Sequence, residues 1–262
     1  MNKLYVIKIG GNVLDDEKAL DAFLKDFASI QEPKILIHGG GKIATKIGDQ
    51  LGIKSNYVDG RRITDEPTRD LVTMVYGGLI NKKMVASLQA LQCNAIGVTG
   101  ADGNLIKAIR RPVKEIDYGY VGDITPDGIN SSFLYFLLKQ NVTPVFAPLT
   151  YSEGEILNTN ADTIASAIAV SLSKHFDIRL IFCFEKKGVL RDVNNDGSVI
   201  QQLNEAGYKQ LLTEGSLADG ILPKLENAFA AIHAGVQEVL IGSAPELLKN
   251  IREETEGTLI RK

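Results

Sequence analysis

The sequence predicts an α/β protein: a three-layer α/β/α sandwich built on a central, mostly parallel sheet. Short β-branched apolar runs alternate along the chain with longer helical patterns, and glycine or proline separates each from the next. The short runs are apolar at successive rather than alternate positions, so their strands must be covered on both faces. In βαβ units this places helices on each side of the sheet. Length agrees: 262 residues, 44% of them apolar and 23% charged, form an ordinary globular chain. A chain of this size buries roughly 70% or more of its unfolded surface.

Taken in order, residues 4–9 read as a strand, 17–30 as a helix, 35–37 as a strand and 43–51 as a helix. The rhythm resumes with a strand at 95–98, a helix at 131–139, a strand at 142–147 and an apolar helix at 162–174. Two further buried strands fall at 179–184 and 238–241. Residues 103–126, with Tyr118-Gly119-Tyr120 and Gly122, read instead as inserted hairpins and turns, suited to a lid or a contact surface. There is no internal repeat and no long linker. The expected organisation is an N-terminal lobe over residues 1–174 and a C-terminal lobe over 175–262, sharing one continuous sheet.

Charge and cysteine usage remove several function classes. With 29 basic against 32 acidic residues the net charge is −3, and no basic run exceeds Lys186-Lys187, so nucleic acid is not the expected partner. Cys93 and Cys183 form no CxxC pair, which fits a reducing cytoplasm and neither a disulfide framework nor a cysteine zinc site. The longest uncharged stretch, residues 84–101, is broken by Ser87, Gln89, Gln92, Asn94 and Thr99, so no membrane association is expected. The chain enters its first strand by residue 4 without the pattern of a secretory signal, so the mature protein is expected to start near Met1.

Five clusters could carry chemistry. In Lys8-Ile9-Gly10-Gly11 a lysine ends a strand and two glycines precede a helix. A strand end aims its side chain into a crevice, and glycines let backbone N–H groups approach a phosphate. A surface lysine beside an ordinary turn is the alternative. In His38-Gly39-Gly40-Gly41-Lys42 three consecutive glycines again follow a strand. The same stretch meets a loose dinucleotide pattern through Gly39, Gly41 and Ala44, with Asp59 downstream, although that fingerprint belongs on a first strand. No GxxxxGK[ST] loop occurs.

In Asp59-Gly60-Arg61-Arg62-Ile63-Thr64-Asp65 an arginine pair precedes a helix start at Thr64 or Asp65; one guanidinium can grip a carboxylate by two parallel hydrogen bonds. A solvated charged turn would look the same. Asn158-Thr159-Asn160-Ala161-Asp162 opens an alanine-rich helix, where Asp162 either caps the helix or serves a ligand. In Asp219-Gly220-Ile221-Leu222-Pro223-Lys224 a lysine sits at a helix start, where the dipole opposes it unless an anion lies nearby. His175 and His233 have no metal-ligand spacing.

Together, and in this order, these clusters resemble the amino acid kinase superfamily, and within it the acetylglutamate kinases. The resemblance runs from residue 3 to about 235 and includes Gly78-Leu79-Ile80-Asn81-Lys82, the stretch from Ala101 to Ile106, and Tyr120-Val121-Gly122-Asp123-Ile124. It implies the amino acid kinase fold and transfer of the γ-phosphoryl group of ATP to the side-chain carboxylate of an N-acylated L-glutamate, in arginine biosynthesis. It implies that Lys8 and Lys224 stabilise the transferring group while Asp162 organises the two lysines. Gly10, Gly11 and Gly41 would cradle phosphates, and Gly40, Gly41, Arg62 and Asn158 would hold the acylated substrate. ATP would lie against Glu185, Lys186, Lys187, Gly188, Val189 and Leu190, near Leu217. Mg²⁺ would ride on the ATP phosphates, with no dedicated metal cage. Carbamate, glutamate and aspartate kinases of the same superfamily, and more remotely an NAD-dependent oxidoreductase, are the competing readings.

The sequence departs from the family in two places. Arg61 stands where members usually carry leucine, and Glu185-Lys186-Lys187 stands where an aspartate precedes the nucleotide loop. The extra cation raises N-succinyl-L-glutamate as an acceptor beside N-acetyl-L-glutamate. Members inhibited by arginine carry an additional N-terminal helix that builds a hexamer, so an arginine-insensitive homodimer is expected, with residues 71–91 at its interface.

Overall fold

A computed structural model describes residues 2–58, 60–192, 194–214 and 221–261. The chain divides into two compact units, Met1–Ile35 with Ala165–Lys262, and Leu36–Ile164. The division departs from the linear split expected at residue 174, and the cause is strand pairing. The opening strand Lys3–Ile9 runs parallel to Asp177–Phe184, with Leu4 opposite Ile178 and Lys8 opposite Phe182. That pairing assigns the first residues to the same body as the last ones.

In the first unit the strand order is Gln202–Leu203, Thr258–Ile260, Glu238–Ser243, Asp177–Phe184, Lys3–Ile9. All neighbours are parallel except the pair Glu238–Ser243 and Thr258–Ile260. Leu4, Val6 and Ile7 are fully buried and Tyr5 nearly so, the covering on both faces that consecutive apolar residues imply. Helix Glu17–Ser29 starts where the Asp16 carboxylate accepts from the N–H groups of Lys18 and Ala19, at 2.9 and 3.1 Å, and it buries Phe23, Leu24 and Phe27. The charged C-terminal stretch, unassigned by sequence, is tied down by Arg179. This side chain, 1% exposed, pairs with Glu238 at 2.6 Å and donates to the carbonyls of Asn250 at 3.0 Å and Arg252 at 2.6 Å.

The second unit has a parallel set in which Thr143–Phe146 lies between Ala95–Val98 and most of Lys34–His38. A four-stranded sheet follows the order Glu155–Asn158, Leu149–Ser152, Ile106–Arg110, Gly122–Ile129, and Asn56–Val58 with Arg61–Ile63 makes a separate hairpin. Residues 103–126, expected as hairpins and turns, hold such a hairpin, in which Ile106–Arg110 pairs antiparallel with Gly122–Ile129 across a long loop. Helix Glu66–Val72 starts from Asp65, whose side chain accepts from the Thr68 N–H at 3.0 Å. It continues into a π-helix, Thr73–Ile80, and then helix Asn81–Ala90. Both units are α/β, and the large sheet is mostly parallel under helices, as the sequence predicts, whereas the smaller sheets of the second unit pair mainly antiparallel.

Candidate active site

The second unit assembles the residues expected to hold an acylated substrate. The strand Lys34–His38 delivers the chain into Gly39 and Gly40, and helix Gly41–Gln50 follows at once. Gly40 adopts φ +150°, and a Cβ there would lie 2.5 Å from Cδ1 of Ile80 and 3.0 Å from the Tyr76 ring. The loop therefore presses against the π-helix as only glycine can. Gly40 caps the helix without a side-chain hydrogen bond and no acid stands in the first turn, which leaves backbone N–H groups for an anion. Around Gly41 a Cβ would meet nothing within 4 Å. Its carbonyl accepts from Nη2 of Arg62 at 2.8 Å.

Arg62 is held from several directions. The same Nη2 reaches Oγ1 of Thr45 at 2.9 Å, Nη1 donates to Oγ of Ser55, and the guanidinium lies 4.8 Å from the Tyr57 ring centroid. It is 6% exposed, whereas its neighbour Arg61 is exposed, because adjacent strand residues face opposite ways. Asn158 joins through Thr64: its Nδ2 donates to Oγ1 of Thr64 at 3.1 Å, and that hydroxyl donates to the Arg62 carbonyl at 3.3 Å. Gly40, Gly41, Arg62 and Asn158 thus share one network. Thr45, Ser55, Tyr57, Thr64 and Tyr76 belong to it as well. Sequence reasoning missed their roles; only the alternation that buries Thr64 beside Arg62 on the hairpin side could have hinted at one.

His38 shapes the same loop. Its Nδ1 lies 2.7 Å from the Gly39 carbonyl, which can only accept, so Nδ1 carries the proton and Nε2 accepts from Nδ2 of Asn81 at 3.3 Å. Complete burial pushes its pKa down to about 4, against a smaller upward pull from the Gly39 hydrogen bond. The imidazole is therefore neutral near pH 7 and acts by position. Asn81, 1% exposed, also donates to the Val145 carbonyl at 2.9 Å and so ties helix Asn81–Ala90 to the parallel strands.

Asp162 is relieved of capping. Oδ1 of Asn160 accepts from the N–H groups of Asp162 and Thr163, at 2.8 and 3.1 Å, so Asn160 is the cap and Asp162 stands in the first helical turn.

The first unit places the two lysines at one strand end. A Cβ on Gly10 would lie 3.6 Å from Nζ of Lys8 and 4.0 Å from the Cys183 carbonyl. Nζ of Lys224 lies 5.5 Å from the ring centroid of Phe184, the next residue. Both ammonium groups therefore reach the carboxyl end of Asp177–Phe184, where ligands of open α/β sheets bind. Burial raises the Cys183 thiol pKa to about 12, with Lys8 pulling weakly the other way, so this sulfur stays protonated.

The expected nucleotide loop is mixed. Glu185 and Lys187 are exposed, and Lys186 pairs with Asp196 at 2.9 Å. Gly188, Val189 and Leu190 are buried; a Cβ on Gly188 would come 2.7 Å from Oγ1 of Thr258, which also accepts from the Val189 N–H at 2.8 Å. Packing explains these last three. Leu217, Asp219, Gly220 and Asp59 lie outside the described residues. Among the described residues no three His, Cys, Asp or Glu side chains cluster as metal ligands, and no helix is long and apolar enough to cross a membrane.

Residues 3–243 match the model of the Amino acid kinase family. The acetylglutamate kinase of Cytophaga hutchinsonii is 54% identical over 261 residues, 98% of each chain. That of Bacteroides thetaiotaomicron is 53% identical over 261 residues, 99% of each. Among solved structures, smu.665 from Streptococcus mutans superposes with a TM-score of 0.78 at 28% identity, covering 99% of this chain and 98% of the other.

Proposed function

This chain belongs to the amino acid kinase family, and from that premise we propose that it transfers the γ-phosphoryl group of ATP to the side-chain carboxylate of N-acetyl-L-glutamate, in arginine biosynthesis. The relatives' names support the substrate. The observation that supports the chemistry is that Lys8 and Lys224 each lie near the carboxyl end of the strand Asp177–Phe184.

The acceptor carboxylate is ionised at neutral pH, so the reaction needs no strong base. Its obstacle is the approach of two anions. A carboxylate oxygen attacks the γ-phosphorus, the bond to the β,γ-bridging oxygen breaks, and ADP leaves with that electron pair while an acyl phosphate forms. Lys8 and Lys224 stabilise the charge on the equatorial oxygens, and the N–H groups at Gly10, Gly11 and Gly41 position phosphate. Arg62, Asn158 and the Gly40–Gly41 amides orient the acylated amino acid. Mg²⁺ suits this donor set as an ion carried by phosphate oxygens, where it neutralises charge on the nucleotide.

The exposed Arg61 does not share the contacts of Arg62, which favours acetyl over succinyl as the acyl group. A hydroxamate assay with ATP and each acylglutamate tests both points: turnover of N-acetyl-L-glutamate is the expected result, and turnover of neither acylglutamate, or of carbamate or aspartate instead, would remove the assignment. The family match leaves no support for the dinucleotide alternative. The protein forms a homodimer, a state supported by Met74 and Leu79, 57% and 41% exposed on the π-helix. Light scattering checks it.

A further inference from the structure

Beyond the residues that touch substrate, the second unit contains a backbone connector with an unusual anchor. Tyr118 to Tyr120 run between the hairpin strand that carries Arg62 and the strand that ends in Asn158. The Thr64 N–H donates to the Tyr118 carbonyl at 2.9 Å, and the Tyr120 N–H donates back to the Thr64 carbonyl at 2.7 Å. On the other side, the Asn158 N–H donates to the Tyr120 carbonyl at 2.9 Å. Thr64 and Asn158, already joined through their side chains at 3.1 Å, are thus also joined through the main chain of Tyr120. The approach is close enough to demand glycine between the tyrosines: Gly119 has φ +73°, and a Cβ on it would lie 2.2 Å from the Thr64 carbonyl oxygen.

Something must hold that connector in place, and the Tyr120 ring supplies it. The Arg110 guanidinium carbon lies 4.4 Å from the ring centroid and that of Arg69 lies 4.6 Å away. Both guanidinium groups are within cation–π reach of the one ring. Each arginine is itself fixed. Arg69 pairs with Glu66 at 3.3 Å, Asp70 at 2.9 Å and Glu155 at 2.7 Å, and Glu155 begins the very strand that ends in Asn158. Arg110 donates through Nε to the Gly119 carbonyl at 2.9 Å.

We propose that Tyr120 is a positioning residue for acylglutamate, its ring held by Arg69 and Arg110 so that its main chain sets the spacing between Arg62 and Asn158. The inference rests on the substrate site proposed above. Tyr120 acts only through Thr64 and Asn158, so its loss should loosen the acylated amino acid and leave the nucleotide alone.

The test is steady-state hydroxamate kinetics on the full chain, with N-acetyl-L-glutamate and ATP varied separately. In Tyr120→Leu the KM for N-acetyl-L-glutamate should rise about tenfold with the KM for ATP unchanged, while Tyr120→Phe, which keeps the ring, should match the wild type. Should circular dichroism show Tyr120→Leu unfolded, Arg110→Met at an exposed position is measured in its place, with a rise of about threefold expected in the same constant. An unchanged acylglutamate KM, an equal rise in both KM values, or a Tyr120→Phe variant as impaired as Tyr120→Leu would each overturn the proposal. A wild-type enzyme inactive on N-acylglutamates would instead remove the function on which it rests, and is read from the control alone.

Discussion

At the scale of single residues, the two cations at the strand end and the buried histidine make separable demands. Lys8→Ala or Lys224→Ala should lower kcat by about a hundred- to a thousandfold, the range for one lost donor to a transition-state oxyanion, with unfolding temperature little changed. Rapid-quench or hydroxamate turnover numbers check it, and a drop of less than about fivefold in both variants would mean that neither ammonium meets the phosphoryl group. His38 should be visible in stability rather than catalysis. Its pKa is about 4 in the fold, below the ordinary histidine value of 6.5, so the unfolded chain binds the extra proton between those values. Stability from this group is complete above pH 6.5 and is lost as pH falls toward 4, by about 3 kcal/mol in all. Urea titrations of wild type and His38→Asn across that window should show a steeper fall for the wild type; parallel curves would contradict a buried neutral imidazole.

At the scale of elements, the glycine loop and the π-helix are one device. Gly40→Ala would drive a methyl group into Ile80 and Tyr76 at a backbone angle that alanine resists. The expected loss is about 1–3 kcal/mol of stability, together with a raised KM for acylglutamate, read by thermal unfolding and initial rates. The loop itself was legible in the sequence, because three successive glycines after a strand have few uses. The π-helix was not: Thr73–Ile80 is apolar all round, so no helical period separates it from a buried α-helix. The strands Leu149–Ser152 and Glu155–Asn158 were also missed; Asn158 was visible by its neighbours and not by the ladder that carries it. Helix starts were readable to within a residue or two, as Asp65 shows, but Asn160 rather than Asp162 caps its helix, since an aspartate two positions on already lies inside the turn.

At the scale of the molecule, the expected ligand residues partition between the units. Lys8, Gly10, Gly11, the loop at 185–190 and Lys224 belong to the first, and Gly40, Gly41, Arg62, Asn158 and Asp162 to the second. Hydrogen exchange should therefore show ATP protecting amides near residues 8–11 and 185–190, and N-acetyl-L-glutamate protecting those near 39–45, 61–64 and 158. With Gly41 serving both ligands, overlap is expected at 39–45 alone; protection of 8–11 and 185–190 by N-acetyl-L-glutamate, or of neither region by its own ligand, would refute the partition. The sequence displayed all five motifs but not this allocation, because which strand neighbours the first one is a long-range choice that local pattern does not encode. That choice bears on how the chain is made. The register partner of Lys8 leaves the ribosome roughly 170 residues later, which at ~5–20 residues per second is on the order of 10–30 s. Throughout that interval one edge of a very apolar strand lacks its mate, and the contiguous middle body, Leu36–Ile164, is completed before that mate is made. Stalled nascent chains ending before Asp177 should resist protease over 36–164 and be cut at their leading end, which makes the earliest residues the last to become safe.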